Sequence, residues 1–471
     1  MASSRLRLPC SVLSLGALAI LTATGCPSGG EDEDSSSGPA TGSTGDGSGD
    51  ATDGPVSTTS TSTTPTSDSG PMATTADTTE GCPVGTEGCA CGVKMSCDDD
   101  LSCVDGTCES AATTTGLPAG CQNGQPDPGQ LCYDQPTFFG AGSGPRAPLL
   151  VDLDDDTLLD LVIPNSGDNT VAVRLGDGAG AFGNANTINT GMQPVAVAAG
   201  LLDDDTVVDL VVANELDGTV SVFLGNGDGT FAAPSVFNVG AGPVALTVAD
   251  LTMDGSDDVL TANAMANSVT LLAASGFGFA PPVNTASLAG PASLAVGEIS
   301  SDANLDLVVA ASGANQLAVH LGTGGGNLTP ATAEGAGTTP VSLVLVDVNG
   351  DGELDALTAN SGSNDVTLRP GTGNGDFGGV IPFPVGTTPR GLVVADLDVD
   401  GNDDLVTANG GSDDVTVLFG TGAGTFMNPQ TFDVDDDPRG VAAGDLNGDG
   451  TLDLVVTHGT PGTFAILLSD A

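Results

Sequence analysis

The stretch "DVNGDGELD", residues 347–355, places Asp347, Asp351, Glu353 and Asp355 within nine positions. Like charges this close repel one another, so a folded chain carries such a turn only where something positive compensates. The pattern D-x-[DN]-x-D-G-x-x-D-L returns along the chain, whole or degenerate, ending on Asp160, Asp209, Asp258, Asp306, Asp355, Asp404 and Asp453 in steps of 49, 49, 48, 49, 49 and 49 residues. A proline holds the same register at Pro145, Pro194, Pro243, Pro291, Pro340, Pro389 and Pro438. An aromatic or apolar residue does so at Phe182, Phe231, Phe279, Leu328, Phe377 and Phe426. Seven copies in register mean one supersecondary unit repeated seven times.

Each unit contains four candidate strands. After the proline comes a short apolar run such as "VSLVLVDV" (341–348), then the acidic loop, then a run such as "DLVVAN" (209–214). An alternating run such as "TVSVFLG" (219–225) follows, and a Gly-rich turn leads into "TFAAPSVFNV" (230–239). The first two runs are apolar without alternation, the pattern of a sheet covered on both faces. Four-stranded units repeated radially, each face packed on the next, form a β-propeller. The expected fold is therefore all-β, a seven-bladed β-propeller over residues 133–471, preceded by a disordered linker and a small disulfide-rich unit. The units resemble the FG-GAP/VCBS repeats, calcium-loop propellers related to the integrin α-subunit head.

The two ends of the repeat region fit together. The last unit stops after its third strand, "TFAILLS" (463–469), whereas "YDQPTFFGAGSGP" (133–145) aligns with "FAAPSVFNVGAGP" (231–243). Tyr133 falls at the Phe position and Phe139 at Phe237, so the N-terminal piece is expected to supply the outer strand of the last blade. That would remove an open seam with two exposed edges.

The acidic loop suits calcium, a hard cation that takes six to eight oxygens at about 2.3–2.6 Å. First, third, fifth and ninth positions offer side-chain oxygens, the seventh offers its carbonyl, and Gly at the sixth takes positive φ without Cβ strain. Three loops are complete: Asp347/Asn349/Asp351/Asp355, Asp396/Asp398/Asp400/Asp404 and Asp445/Asn447/Asp449/Asp453. Asp250/Thr252/Asp254/Asp258 is nearly so. Asp152/Asp154/Asp156/Asp160 has its oxygens, but Thr157 stands at the sixth position, where β-branching disfavours positive φ. The second loop has Leu201 for its first ligand, and the fourth offers Glu298, Ser300, Asp302 and Asp306 around Ala303. Four sites are expected to fill first, with the Thr157 loop next and the other two weak or empty.

The chain upstream reads as export and tether. Arg5 and Arg7, an apolar core and "ATGC" ending at Cys26 resemble a bacterial lipoprotein signal over 1–25, with Cys26 acylated after cleavage. Residues 26–80 are rich in Ser, Thr, Gly and Asp and bury too little to fold. Residues 81–110 hold six cysteines, for which three disulfides would replace a core; their pairing stays open. Residues 111–132 carry "CQNGQPDPGQLC", which resembles a cysteine-rich repeat of bacterial surface proteins and implies a Cys121–Cys132 pair. The expected location is extracytoplasmic, lipid-anchored to the cell envelope and surface-exposed, with the membrane touched only through the anchor.

With 61 acidic and 8 basic residues and a formal charge of -53, the chain is a poor partner for nucleic acid or anionic membrane and a good one for divalent cations. Signal cleavage would take the charge to -55, and seven bound divalent ions would bring it to -41. No nucleophile, acid–base pair or open metal site stands out, so the expectation is no enzyme. His320 shares its repeat position with Arg174 and Arg369 and is expected on an exposed strand face; His458 falls at a turn. The residue after the repeat proline is Arg146, Val195, Val244, Ala292, Val341, Arg390 and Arg439. The three arginines belong to adjoining blades, on the face opposite the acidic loops, which Asn165, Asn409 and His458 share. In the integrin-like relatives this face bears the ligand. Arg146, Arg390 and Arg439 are candidates for an anionic group, against the alternative that they pair with Asp435, Asp436 and Asp437. The functional expectation is a monomeric, calcium-binding, surface-tethered binding or adhesion module for a protein or glycan ligand. A lectin-like propeller and a polysaccharide-acting enzyme are the alternatives.

Overall fold

Runs of Val, Leu and Ala bounded by Gly, Pro and Asp turns favour short, doubly covered strands, and strands are what the chain forms. The computed structural model describes residues 131–469 except 204, 276 and 277, together with three upstream strands. These strands, Cys89–Ala90, Leu101–Val104 and Thr107–Ser110, form a separate small sheet in the order first, third, second. The expected signal, Cys26 with its expected acylation, the expected tether and Cys121 lie outside the described residues.

From residue 137 onward the strands sort into seven four-stranded antiparallel sheets. The fifth blade shows the plan: Pro340–Val346 is innermost, followed by Asp355–Asn360, Asp365–Arg369 and Ile381–Pro384. In every blade the second strand is buried along its whole length and shielded by its two sheet neighbours and the adjoining blades. Apolar clusters lie between successive blades, as where Leu357 and Leu368 meet Leu392 and Leu405. The outer strand is shorter than the run at 230–239 suggests. Only Ser235–Asn238 pairs continuously, and Phe231 joins Gly225 by an isolated bridge.

The ring closes as the sequence anticipates. Thr137–Gly140 pairs with Thr463–Leu467 as the outer strand of the seventh blade, with Phe139 opposite Phe464. Tyr133 bridges Ser469, the place that Phe231 takes against Gly225. Leu131, Tyr133 and Phe139 join the cluster shared by blades six, seven and one. Phe139 stacks on Phe464 at 5.2 Å and Tyr133 meets Phe432 edge-on at 5.0 Å. The Gln430 side chain accepts from the Leu131 N–H at 2.9 Å and donates to its carbonyl at 2.6 Å. Cys132 is buried at this seam. Among the described residues no helix is long and apolar enough to cross a membrane.

Candidate functional site

Two regions carry chemistry, at opposite ends of the inner strands. The first is the ring of acidic loops. Six of the seven loops place their fourth and sixth residues at positive φ, including Gly352 at 91° and Gly401 at 89°. A Cβ on Gly352 would meet nothing within 4 Å, so the requirement there is purely conformational. Thr157 takes φ 72° and Ala303 φ 68° all the same. The expected penalty at Thr157 therefore does not abolish the turn: its N–H reaches Asp152 Oδ2 at 2.9 Å, and the loop absorbs the strain.

The ninth-position aspartate does more than offer a ligand oxygen. In all seven blades it is at most 1 % exposed, and both its oxygens accept backbone N–H bonds. Asp209 receives Leu202 at 2.9 Å and Gly225 at 2.8 Å; Asp404 receives Leu397 at 3.0 Å and Gly420 at 2.8 Å. It thus ties the acidic loop to the turn after the third strand, even in the second blade, where Leu201 removes the first ligand. Burial pushes Asp404 up to about 7 and Asp160 and Asp453 up to about 6. The ninth position recurs without exception because it is structural.

The remaining loop oxygens fit a hard cation to different degrees. Asp152, Asp154 and Asp156 bring carboxylate oxygens within 4.8 Å of one another, as do Asp396, Asp398 and Asp404. The third-position oxygens Asp154 Oδ1, Thr252 Oγ1 and Ser300 Oγ are buried with no hydrogen-bond partner. An inward oxygen without a donor is what a metal ligand looks like before the metal is added. In the fifth blade Asn349 instead turns its amide nitrogen toward both Asp355 oxygens, at 3.1 Å each. In the seventh, Asn447 donates to Asp449 at 3.0 Å. In these two blades an amide flip would be needed to present oxygen to an ion.

The fifth-position aspartates also close the turn. Asp254 and Asp400 are exposed, and neither joins a converging group of carboxylates: the sixth-blade group is Asp396, Asp398 and Asp404, without Asp400. Each turns one oxygen back onto the loop. Asp254 Oδ1 accepts the Ser256 N–H at 3.0 Å, and Asp400 Oδ1 accepts both the Asn402 N–H and its side-chain amide at 2.8 Å. Asp351 does the same for Glu353 at 2.9 Å and Asp449 for Thr451 at 2.8 Å. A short carboxylate two residues before a free N–H closes an Asx turn. Asp156 makes the same bond, with the Leu158 N–H at 2.8 Å, and still converges with Asp152 and Asp154, so the turn engages one carboxylate oxygen and leaves the other for an ion.

The second region is the mouth of the axial cavity, of about 560 Å³, at the start of the inner strands. All seven residues that follow the repeat prolines line it, so Arg146, Arg390 and Arg439 do meet. Asp437 pairs with both Arg390 and Arg439, at 3.0 Å to the latter. Pairing with a local acid thus accounts for two of the three. Arg146 has no ion pair among the described residues; its Nε donates to Ser166 Oγ at 3.3 Å. Burial and then the nearby Arg439 hold its pKa below the usual guanidinium value.

One further expectation fails here. His320 is fully buried, not on an exposed face: Nδ1 lies 2.9 Å from the Thr329 carbonyl and Nε2 3.3 Å from Ser287 Oγ in the preceding blade. Its repeat mates do the same work. Arg369 bonds Glu334 and the Gly335 carbonyl across the blade gap, and Arg174 bonds the Gly140 carbonyl and lies 5.4 Å over Phe464. Asn165, Asn409 and His458 do lie at this end, paired with Pro145, Pro389 and Pro438, and are buried. In five blades this Asn sits under a glycine 23 positions earlier, where a Cβ would come within 2.4–2.6 Å of it. The seventh blade has Asp435 and His458 in those places, and burial holds the His458 pKa below its ordinary value. The sequence reading missed this Gly–Asn pairing, although its constant spacing is legible.

The chain is a seven-bladed β-propeller, and part of it matches a known repeat family. The model of the FG-GAP-like repeat matches residues 202–261, 299–358, 347–407 and 396–456, each match running from one acidic loop to the next. No curated protein matches the chain. Among solved structures it is similar to BBS1N in complex with ARL6DN, at 15 % identity and TM-score 0.52 over 71 % of this chain and 96 % of that one. It is also similar to a lectin from Agrocybe aegerita that recognises non-reducing terminal N-acetylglucosamine, at 16 % identity and TM-score 0.45 over 65 % and 92 % of the two chains. A third is a periplasmic gluconolactonase from Pseudomonas aeruginosa, at 19 % identity and TM-score 0.44 over 60 % and 84 %. At such identities the likeness is one of fold. It corrects the expectation of no enzyme: this architecture is one that enzymes use, so that exclusion does not stand.

Proposed function

We propose that the chain is a tethered binding module, stiffened by calcium at the acidic loops, that takes an anionic ligand at the arginine-lined mouth. The observation that carries the reading is Arg146. It stands at the rim of a cavity of about 560 Å³ beside two arginines that share one carboxylate, and it has no acidic partner of its own among the described residues. Guanidinium groups fork onto carboxylates, and a half-buried setting strengthens that bond over its value in water. Calcium at the far end of the inner strands would neutralise the crowded carboxylates and hold each blade's loop in one shape. That BBS1N is solved with a protein partner supports binding as a use of this fold. The lipid anchor at Cys26, the Cys121–Cys132 pair and the cell-surface location belong to this proposal and rest on sequence alone.

The test is capture of carboxylate-bearing peptides and acidic oligosaccharides by the full chain and by its Arg146→Ala/Arg390→Ala/Arg439→Ala variant, with calcium and with chelator. Capture lost in the variant supports the reading. Unchanged capture removes the mouth from it.

A further inference from the structure

The mouth is not uniform, and its asymmetry specifies a ligand. Four consecutive blades present Val195, Val244, Ala292 and Val341 to the cavity, each half-buried; the other three present the arginines. One wall is therefore aliphatic and the other cationic. The charges acting most on Arg146 are Arg439, Glu215, Arg390 and Asp437. Glu215 accepts from Gln193 Nε2 and makes no ion pair with Arg146. Of the three arginines, Arg146 is thus the one left without a carboxylate in contact among the described residues, and one carboxylate would match it.

The lining also holds a free polar group away from Arg146. Ser342, 3 % exposed, lines the cavity on the blade beside that of Arg390, and its hydroxyl has no hydrogen-bond partner. A buried hydroxyl left without a partner is costly, and a bound oxygen would relieve that cost. Below the arginines the inner strands pack closely: a Cβ on Gly440 would lie 2.4 Å from Ala147 Cα. A cavity of about 560 Å³ falls within the roughly 300–1,000 Å³ typical of small-ligand sites.

Resting on the reading of the mouth as an anion site, we infer that its ligand is an amphiphilic monocarboxylate, with the carboxylate on Arg146 and an apolar body against the valine wall. A doubly charged ligand would exceed the unmatched charge. Aliphatic rim residues in four successive blades favour an apolar body over a sugar acid, whose hydroxyls would meet hydroxyl side chains only at Ser293, Ser342, Ser361 and Thr388. Two sources share the required chemistry: the free C-terminus of a peptide ending in aliphatic residues, and a medium-chain fatty acid.

Titration calorimetry on the full chain in calcium separates the outcomes. The probes are octanoate, acetyl-Ala-Leu-Val with a free carboxylate, the same peptide as its carboxamide, acetate and glucuronate. Octanoate or the free-acid peptide should bind at least tenfold more tightly than acetate, glucuronate and the carboxamide; the tighter of the two names the source. Arg146→Lys, which keeps the charge and loses the fork, should weaken binding several-fold, and Val244→Ser should weaken octanoate more than acetate. Equal binding of acetate, glucuronate and octanoate, all lost in Arg146→Ala, would overturn the amphiphile and leave the anion site standing. Absence of binding by every probe to the folded chain would overturn both.

Discussion

The aspartate at the ninth loop position offers the sharpest test of how the repeat holds together, and the second blade isolates it. With Leu201 in place of the first carboxylate, this loop lacks a full calcium set, so Asp209 can be judged as a staple alone. Replacing Asp209 with Ala removes the acceptor for the Leu202 and Gly225 N–H groups. Each N–H left unsatisfied costs about 1–3 kcal/mol. Relief of the buried charge, whose pKa burial raises, offsets part of that loss. A net destabilisation of about 2–4 kcal/mol remains. For a propeller of this size, unfolding entropy of roughly 2.1 cal/mol/K per residue converts this to a fall in Tm of about 3–6 °C. Differential scanning calorimetry of parent and variant, each in calcium and in EDTA, reads it directly. The loss should be the same in both buffers. A fall below about 1 °C, or one that appears only in calcium, would refute the staple and return Asp209 to the metal.

Other consequences follow from the same structure. Tyr133→Ala, which empties a fully buried position at the seam, should cost about 3–5 kcal/mol; denaturant melts showing less than about 1 kcal/mol would mean that the ring does not depend on its N-terminal strand. His320 and His458 are buried with depressed pKa values, so their stabilising contribution is complete above about pH 6.5 and is lost as pH falls below it. The variant Asp435→Gly/His458→Asn, which restores the Gly–Asn pair of five other blades, should show a shallower fall in Tm between pH 6.5 and 5 than the parent. Comparing the two separates the histidine from the buried aspartates, whose raised values act in the opposite sense. If the two pH profiles coincide, His458 is not the titrating group. Asp396→Ala should lower Tm more in calcium than in EDTA, by about 2.7 kcal/mol of lost binding at a hundredfold excess over Kd; equal losses in both buffers would argue against an ion at that loop.

The fold was legible because a closed ring repeats its constraints. A proline, an aspartate and an aromatic in fixed register mark where each strand starts, turns and pairs, and Tyr133 and Phe139 betray the missing outer strand by falling on the same positions. Function-bearing detail was less legible. The sequence placed Arg146, Arg390 and Arg439 on adjoining blades, but not that Asp437 would serve two of them and leave the third without a partner. His320 looked exposed because a polar residue in an alternating strand normally faces water. In this ring the outer strand of the preceding blade covers that face, and the side chain becomes an inter-blade connector. In the acidic loops the pattern could not separate ligand from staple or turn former, since one aspartate side chain satisfies all three descriptions. The burial of Asp209 in a loop without its first carboxylate resolves the first ambiguity. The second is a joint role: fifth-position aspartates such as Asp156 and Asp400 close the turn with one oxygen, which leaves the other for an ion.

Counting calcium on the purified full chain tests the central claim most directly. Metal analysis after equilibrium dialysis, paired with melting in calcium and in EDTA, should find four to five ions per chain and a lower Tm once they are removed. No bound calcium, with the same Tm in both buffers, would mean that the loop carboxylates are compensated by backbone donors alone and that the metal has no part in this propeller.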